Sequence, residues 1–185
     1  VVRFAPIKDI KTMIYAFYEL CSRMDNVRLH ILGGVDDQEY ADECFALIDQ
    51  LGLQEKVLVP GRVDVVEYFE KLDFTMLSSL SEGQPLSVLE SFAAGLPVVT
   101  TDVGSCSELI LGVPPDEFGR AGYFVPPMQR EKMAASRKMR LEMGQRGQLR
   151  ASTYFRYNIM LSKYCALYEE VEELGRHRLR IEETV

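Results

Sequence analysis

The chain has 185 residues, 47% of them hydrophobic and 26% charged, with a formal net charge of −7. That composition suits one α/β domain with a real core. Its basic residues form no dense cluster, which excludes the electrostatic footprint needed to grip nucleic acid or an anionic membrane. A small phosphate ligand stays open, because two or three local cations suffice for it. No apolar run approaches the roughly 20 residues that span a bilayer, and the N-terminus does not read as a signal peptide, so a cytoplasmic protein is expected. Cys21, Cys44, Cys106 and Cys165 are far apart and have neither zinc nor disulfide spacing. They read as reduced, mostly buried thiols. Of the two histidines, His30 and His177, the first lies in an apolar run and reads as a satisfied core residue.

In chain order, Val1-Val2-Arg3-Phe4 reads as the second half of a strand already under way, and Asp9 caps a helix over 10–24 in which Ile10, Met13, Ile14, Phe17 and Leu20 recur on one face. A strand over 27–32 ends at Gly33-Gly34, where backbone turns sharply or approaches a ligand. Asp36-Asp37 reads as a helix-capping pair before a helix over 38–51. The pattern repeats as strand 56–59, helix 65–72, strand 74–77, helix 86–94, strand 97–100, helix Cys106–Leu111 and strand Gly122–Val125. Short apolar runs alternating with helix-length amphipathic segments predict βα units around a doubly wound parallel sheet, because parallel strands need helical crossovers. Beyond Pro126-Pro127 a helical region to about Leu174 is expected, with Tyr164, Leu167, Tyr168 and Val171 as its packing stripe. The organisation read from this is one α/β domain over 1–150, a helix over 151–174 packed on it, and a frayed tail over 175–185. A loop is expected to be missing near Ala134-Ala135, where helical periodicity lapses.

The segment over 78–101, SSLSEGQPLSVLESFAAGLPVVTT, carries the chemistry. A strand leaves the core, turns through Ser81-Glu82-Gly83-Gln84-Pro85, and enters a helix near Leu86. Pro suits a helix start, where its missing N–H leaves no bond unmade. The amides of Leu86, Ser87 and Val88 are then aimed into the crevice at the strand C-termini, where they and the helix dipole favour a diphosphate. Glu82 lies in the turn and Glu90 about one turn into the helix, so two carboxylates can reach opposite ends of a ligand lying across the helix mouth. Each carboxylate accepts hydroxyl hydrogen bonds, which suits the vicinal diols of a ribose and a hexose. Alone, the pair could equally be a solvated turn residue and a helix-face charge. Glu90 falls among Val88, Leu89, Phe92 and Ala93, where an idle charge would be costly.

SEGQPLSVLE followed by SFAAGLPVVTTDVG resembles the Glu-x7-Glu signature of retaining glycosyltransferases with the GT-B fold, the family-four group. RFAPIKD, from Arg3 to Asp9, is similar to that family's Arg and Lys segment, and Pro60-Gly61-Arg62-Val63-Asp64 resembles its base-packing loop. The resemblance implies that Glu82 meets the transferred sugar and Glu90 the ribose, while Arg3 and Lys8 neutralise the diphosphate. Gly83, Gln84, Pro85, Leu86 and Ser87 would line the donor at the helix mouth, with Arg62, Val63 and Gly34 beside them.

It further implies a Rossmann-like C-terminal half of a GT-B enzyme, with an N-terminal domain holding the acceptor, and retaining hexose transfer with no metal required. Within the family the likeness is strongest to a cytoplasmic glycosyltransferase of exopolysaccharide synthesis, which implies UDP-glucose as donor, a polysaccharide or other sugar acceptor, and the synthesis machinery as partner. The domain by itself would bind UDP or a UDP-sugar weakly and transfer nothing. A catalytically silent nucleotide-sugar-binding module and a GT-B sugar-nucleotide epimerase stay open. A nicotinamide dehydrogenase is disfavoured, because no Gly-x-Gly-x-x-Gly turn follows the first strand.

Overall fold

The computed structural model describes residues 1–127 and 137–156, together with 158, 159, 162 and 166. A one-turn 3-10 helix over Pro6–Lys8 leads into helix α1, Ile10–Cys21. Asp9 joins the two with φ 45°, and its side chain accepts the Thr12 amide at 3.3 Å, satisfying one of the donors that a helix start leaves open. The 3–4 spacing of Ile10, Met13, Ile14, Phe17 and Leu20 places all five inward. They pack against helix α2, Gln38–Gln50, whose Tyr40, Ala41, Cys44, Leu47 and Ile48 form the facing stripe. Asp37 caps α2 through the Tyr40 amide at 3.0 Å. Burying each of the larger apolar side chains in this cluster contributes on the order of 1.5–3 kcal/mol.

Strands β1 (Leu29–Leu32) and β2 (Val57–Gly61) pair in parallel. Helix α3 (Val65–Phe69) leads to β3 (Thr75–Leu77), which pairs with β4 (Val98–Thr101) and through it with β5 (Gly122–Val125), all parallel. Helices α4 (Leu86–Ala93) and α5 (Cys106–Leu111) are the crossovers between these last three strands. The predicted single sheet is thus found as two parallel pieces, β1-β2 and β3-β4-β5. Val2 to Phe4 runs beside β1, donating from Val2 to Leu32 O at 2.8 Å and from Phe4 to Gly34 O at 2.9 Å. Gly33 permits this approach, since a Cβ there would lie 1.8 Å from Val2 O. A cavity of about 440 Å³ lies between the two pieces, lined by Leu29, His30 and Leu32 on one side and Thr75 and Met76 on the other.

Polar groups in the core are paired. Thr75 Oγ1 donates to Ser91 Oγ at 2.8 Å, and Ser91 donates to Ser87 O at 2.6 Å, tying β3 to α4. His30 Nδ1 is 2.8 Å from the Tyr68 hydroxyl. Cys21, Cys44 and Cys106 are free thiols. Burial pushes the Cys44 and Cys106 thiols up from their ordinary value.

Helix α6, Arg137–Tyr154, runs through residue 150 and packs on α4 and β5. Arg150 anchors it to α5. Fully buried, its guanidinium donates to the last carbonyls of α5, Leu109 O at 2.8 Å, Ile110 O at 3.0 Å and Leu111 O at 3.2 Å, and to Gly119 O at 2.6 Å. Asp116 completes the shell as a two-pronged ion pair. A cation on a helix C-terminus also complements its dipole. The expected stripe of Tyr164, Leu167, Tyr168 and Val171, the tail over 175–185, the gap near Ala135 and Cys165 lie outside the described residues. Among the described residues no helix is long and apolar enough to cross a membrane.

Candidate functional site

The site forms where the loop after β3 crosses the 3-10 helix at Pro6–Lys8. Two bonds join them: the Leu80 amide donates to Ile7 O at 2.9 Å, and Ser78 Oγ donates to Lys8 O at 2.9 Å. This brings Lys8 against Glu82, 74 positions later, with Nζ 2.6 Å from Oε1. Ser79 Oγ donates to the same oxygen at 2.7 Å. The pair is largely withdrawn from solvent, the side chains being 20% and 13% exposed, so its attraction is screened less than that of a surface pair.

From below, Gly104 and Ser105 fix the Glu82 loop. The Ser105 amide donates to Gly83 O at 2.9 Å, and Gly104 (φ 54°) sits so close that a Cβ would lie 2.1 Å from Glu82 O. The Thr101 hydroxyl donates to Ser79 O at 2.6 Å.

α4 starts directly after this loop, with Pro85 as its N-cap and no side-chain cap. The amides of Leu86 and Ser87 meet no acceptor among the described residues. The expectation that Val88 also offers a free donor is corrected: its amide bonds Pro85 O at 3.1 Å, because the first turn tightens to i→i+3 geometry. Gly83, Gln84 and Leu86 are exposed around this mouth, Ser87 is half-buried and Pro85 is buried beneath it.

Glu90 is exposed on α4, not held among the apolar side chains next to it in sequence, because Val88 and Phe92 turn inward while Glu90 faces out.

Arg3 itself pairs with Asp36 at 2.8 Å. Asp36 is thereby a counter-ion, whereas the capping role belongs to Asp37. Arg62 lies beside Gly34: a Cβ on Gly34 would come 3.3 Å from Arg62 Nε, so these two candidates share one corner of the site. Val63 packs on the small cluster of Leu32, Phe69 and Leu96. The structure thus brings Lys8, Glu82 and the α4 mouth together, sets Arg62 against Gly34, and leaves Arg3 and Glu90 exposed. Ser79, Thr101, Gly104 and Ser105 were not singled out from sequence, although the hydroxyl pair Ser78-Ser79 at the end of an apolar strand was a visible signal.

A family model described as Glycosyl transferases group 1 matches residues 1–151. The chain belongs to this family. Among curated relatives of this glycosyltransferase domain, N-acetyl-alpha-D-glucosaminyl L-malate synthase of Bacillus anthracis is 26% identical over 176 residues, 91% of the chain and 44% of that protein. Mannosylfructose-phosphate synthase of Agrobacterium fabrum is 30% identical over 139 residues, 71% of the chain and 29% of that protein. Among solved structures, HepE of Anabaena in complex with UDP superposes with a TM-score of 0.78 at 20% identity, covering 91% of the chain and 47% of HepE. Sucrose-phosphate synthase of Thermosynechococcus elongatus superposes at 0.79 and 22% identity, covering 94% and 45%. These likenesses establish the Rossmann-like α/β fold of a GT-B glycosyltransferase half. The glycosyltransferase domain spans less than half the length of each of these proteins.

Proposed function

We propose that this domain is the donor-binding half of a retaining hexosyltransferase that uses UDP-glucose in the cytoplasm. The observation that carries the reading is the Lys8–Glu82 pair on the loop that runs directly into α4, whose Leu86 and Ser87 amides meet no acceptor among the described residues. A nucleoside diphosphate-sugar laid across that mouth would have its phosphates on Leu86 and Ser87 N–H, Lys8 and Arg3, its transferred sugar on Glu82, and its ribose on Glu90. Arg62, Val63 and Gly34 would then flank the base.

The ion pairs present give this reading a definite chemistry. Lys8 is paired with Glu82 and Arg3 with Asp36. A diphosphate replaces those carboxylates as counter-ion. The exchange is easy at Arg3, whose exposed pair is worth about 0–1 kcal/mol, and it frees Glu82 to accept sugar hydroxyls. As the glycosidic bond breaks, negative charge grows on the departing diphosphate, and fixed cations and amides stabilise it without a metal, which is electrostatic catalysis of the leaving group.

HepE has been solved with UDP and with UDP-glucose, which supports a uridine donor here by analogy of fold. The sequence likeness to PelF, the glycosyltransferase of Pel exopolysaccharide synthesis, supports glucose, a polysaccharide acceptor held by an N-terminal domain, and the exopolysaccharide machinery as partner.

Calorimetric titration of UDP and UDP-glucose into the chain tests the reading. Weak saturable binding of both is expected, reduced in Glu90→Ala, with no transfer to acceptor. Undetectable heats for both ligands at millimolar concentration would remove it.

A further inference from the structure

We propose that Ser79 is a positioning residue that aims the Glu82 carboxylate at the transferred sugar, backed by Thr101. The inference rests on the donor-site reading above. Ser79 is completely buried, yet its hydroxyl is spent on one contact, Glu82 Oε1 at 2.7 Å. Lys8 Nζ donates to that same oxygen at 2.6 Å. Both donors therefore load one side of the carboxylate, and among the described residues Oε2 has no donor. Oε2 is the acceptor left for an incoming hydroxyl.

The two donors differ in what ligand binding does to them. Lys8 is a flexible cation that a diphosphate draws toward itself, because a lysine ammonium is a mobile point charge with rotatable donors. Ser79 cannot follow. Its neighbours Ser78 and Leu80 are bonded to Lys8 O and Ile7 O, and its own carbonyl accepts the buried Thr101 hydroxyl at 2.6 Å. When Lys8 turns to the phosphates, Ser79 is the donor that keeps Glu82 in place.

The prediction separates sugar recognition from nucleotide recognition. In Ser79→Ala, affinity for UDP should stay within about twofold, while the preference for UDP-glucose over UDP falls about tenfold, the effect of one hydrogen bond to a charged group. Thr101→Val should shift the same ratio by a smaller factor, and it serves if Ser79→Ala does not fold by circular dichroism.

A role through Glu82 has a signature that a merely structural role lacks: on a Glu82→Ala background, Ser79→Ala should leave the ratio unchanged. An unaltered ratio in Ser79→Ala and Thr101→Val, or an equal drop with and without Glu82, overturns the proposal. Failure of the unsubstituted chain to bind UDP at all would instead overturn the donor-site reading on which it depends.

Discussion

Gly104→Ala offers the sharpest perturbation of the Glu82 loop, because the substitution adds one carbon and no charge. A Cβ at position 104 would stand 2.1 Å from Glu82 O, 2.4 Å from Gly83 O and 2.8 Å from Glu82 C, all backbone atoms below the 3.0 Å that real Cβ contacts respect. The loop must therefore retreat by about 1 Å, which carries the Glu82 carboxylate out of hydrogen-bond range of a sugar hydroxyl it would otherwise meet. Retreat also stretches the Ser105 amide to Gly83 O bond, now 2.9 Å. The left-handed φ of 54° adds about 1–2 kcal/mol for any residue with a Cβ. At roughly 2–4 °C per kcal/mol for a domain of this size, melting should fall by about 2–8 °C. Paired measurements of thermal unfolding and of UDP-glucose binding check both parts. Binding of UDP-glucose should fall far more than stability does. A variant that melts within 1 °C of the parent and binds UDP-glucose equally would show that the loop is not held where the structure places it, and the positional argument for Glu82 would fail with it.

Two predictions concern the anchor of α6. Arg150→Met should destabilise the domain by about 3–5 kcal/mol, because it strands the buried Asp116 carboxylate and the α5 carbonyls together; urea unfolding would contradict this if the loss were below 1 kcal/mol. The second is a pH dependence. Burial pushes the Asp116 carboxyl up, but hydrogen bonds from Arg150 and from the Phe118 amide outweigh it and hold the group below its ordinary value of 3.8. The stability from this pair is therefore complete above the unfolded carboxylate value and is lost as pH falls through the lower folded one. Asp116→Asn should be markedly less stable than the parent at pH 7, and the gap should close in strong acid. A gap independent of pH would assign the cost to packing instead.

Much of the fold was legible because helical periodicity and buried strands leave plain traces. The α1 stripe from Ile10 to Leu20 and the bounds of Cys106–Leu111 and Gly122–Val125 follow from residue pattern alone. The differences have local causes. Helix α1 stops at Cys21 and not at 24, where Ser22 to Met24 close the last turn on the carbonyls of Tyr18 and Leu20. Strand β2 continues through Pro60 to Gly61, past the residue where a proline suggests an end. It pairs only with β1 among the described residues, and an edge position tolerates a missing N–H. Arg150 gave no signal, since a lone arginine in a weakly periodic helix looks like surface. In the candidate site, the Glu82 turn and the helix start after it were readable, and family resemblance supplied Lys8. The roles of Thr101 and Gly104 were not, because contacts between residues 22 positions apart leave no local pattern, and Ser79, although three positions from Glu82, shows in sequence only as a hydroxyl at a strand end.

Amide chemical-shift mapping with UDP-glucose tests most directly whether a donor sits on the mouth of α4. Saturable shifts are expected at Lys8, at residues 82–84, 86 and 87, and at Gly34 and Arg62, with UDP alone reproducing the shifts at Leu86 and Ser87 but not the full change at Glu82. Shifts confined to the cavity between the two sheet pieces, or none at the helix mouth at saturating ligand, would contradict it.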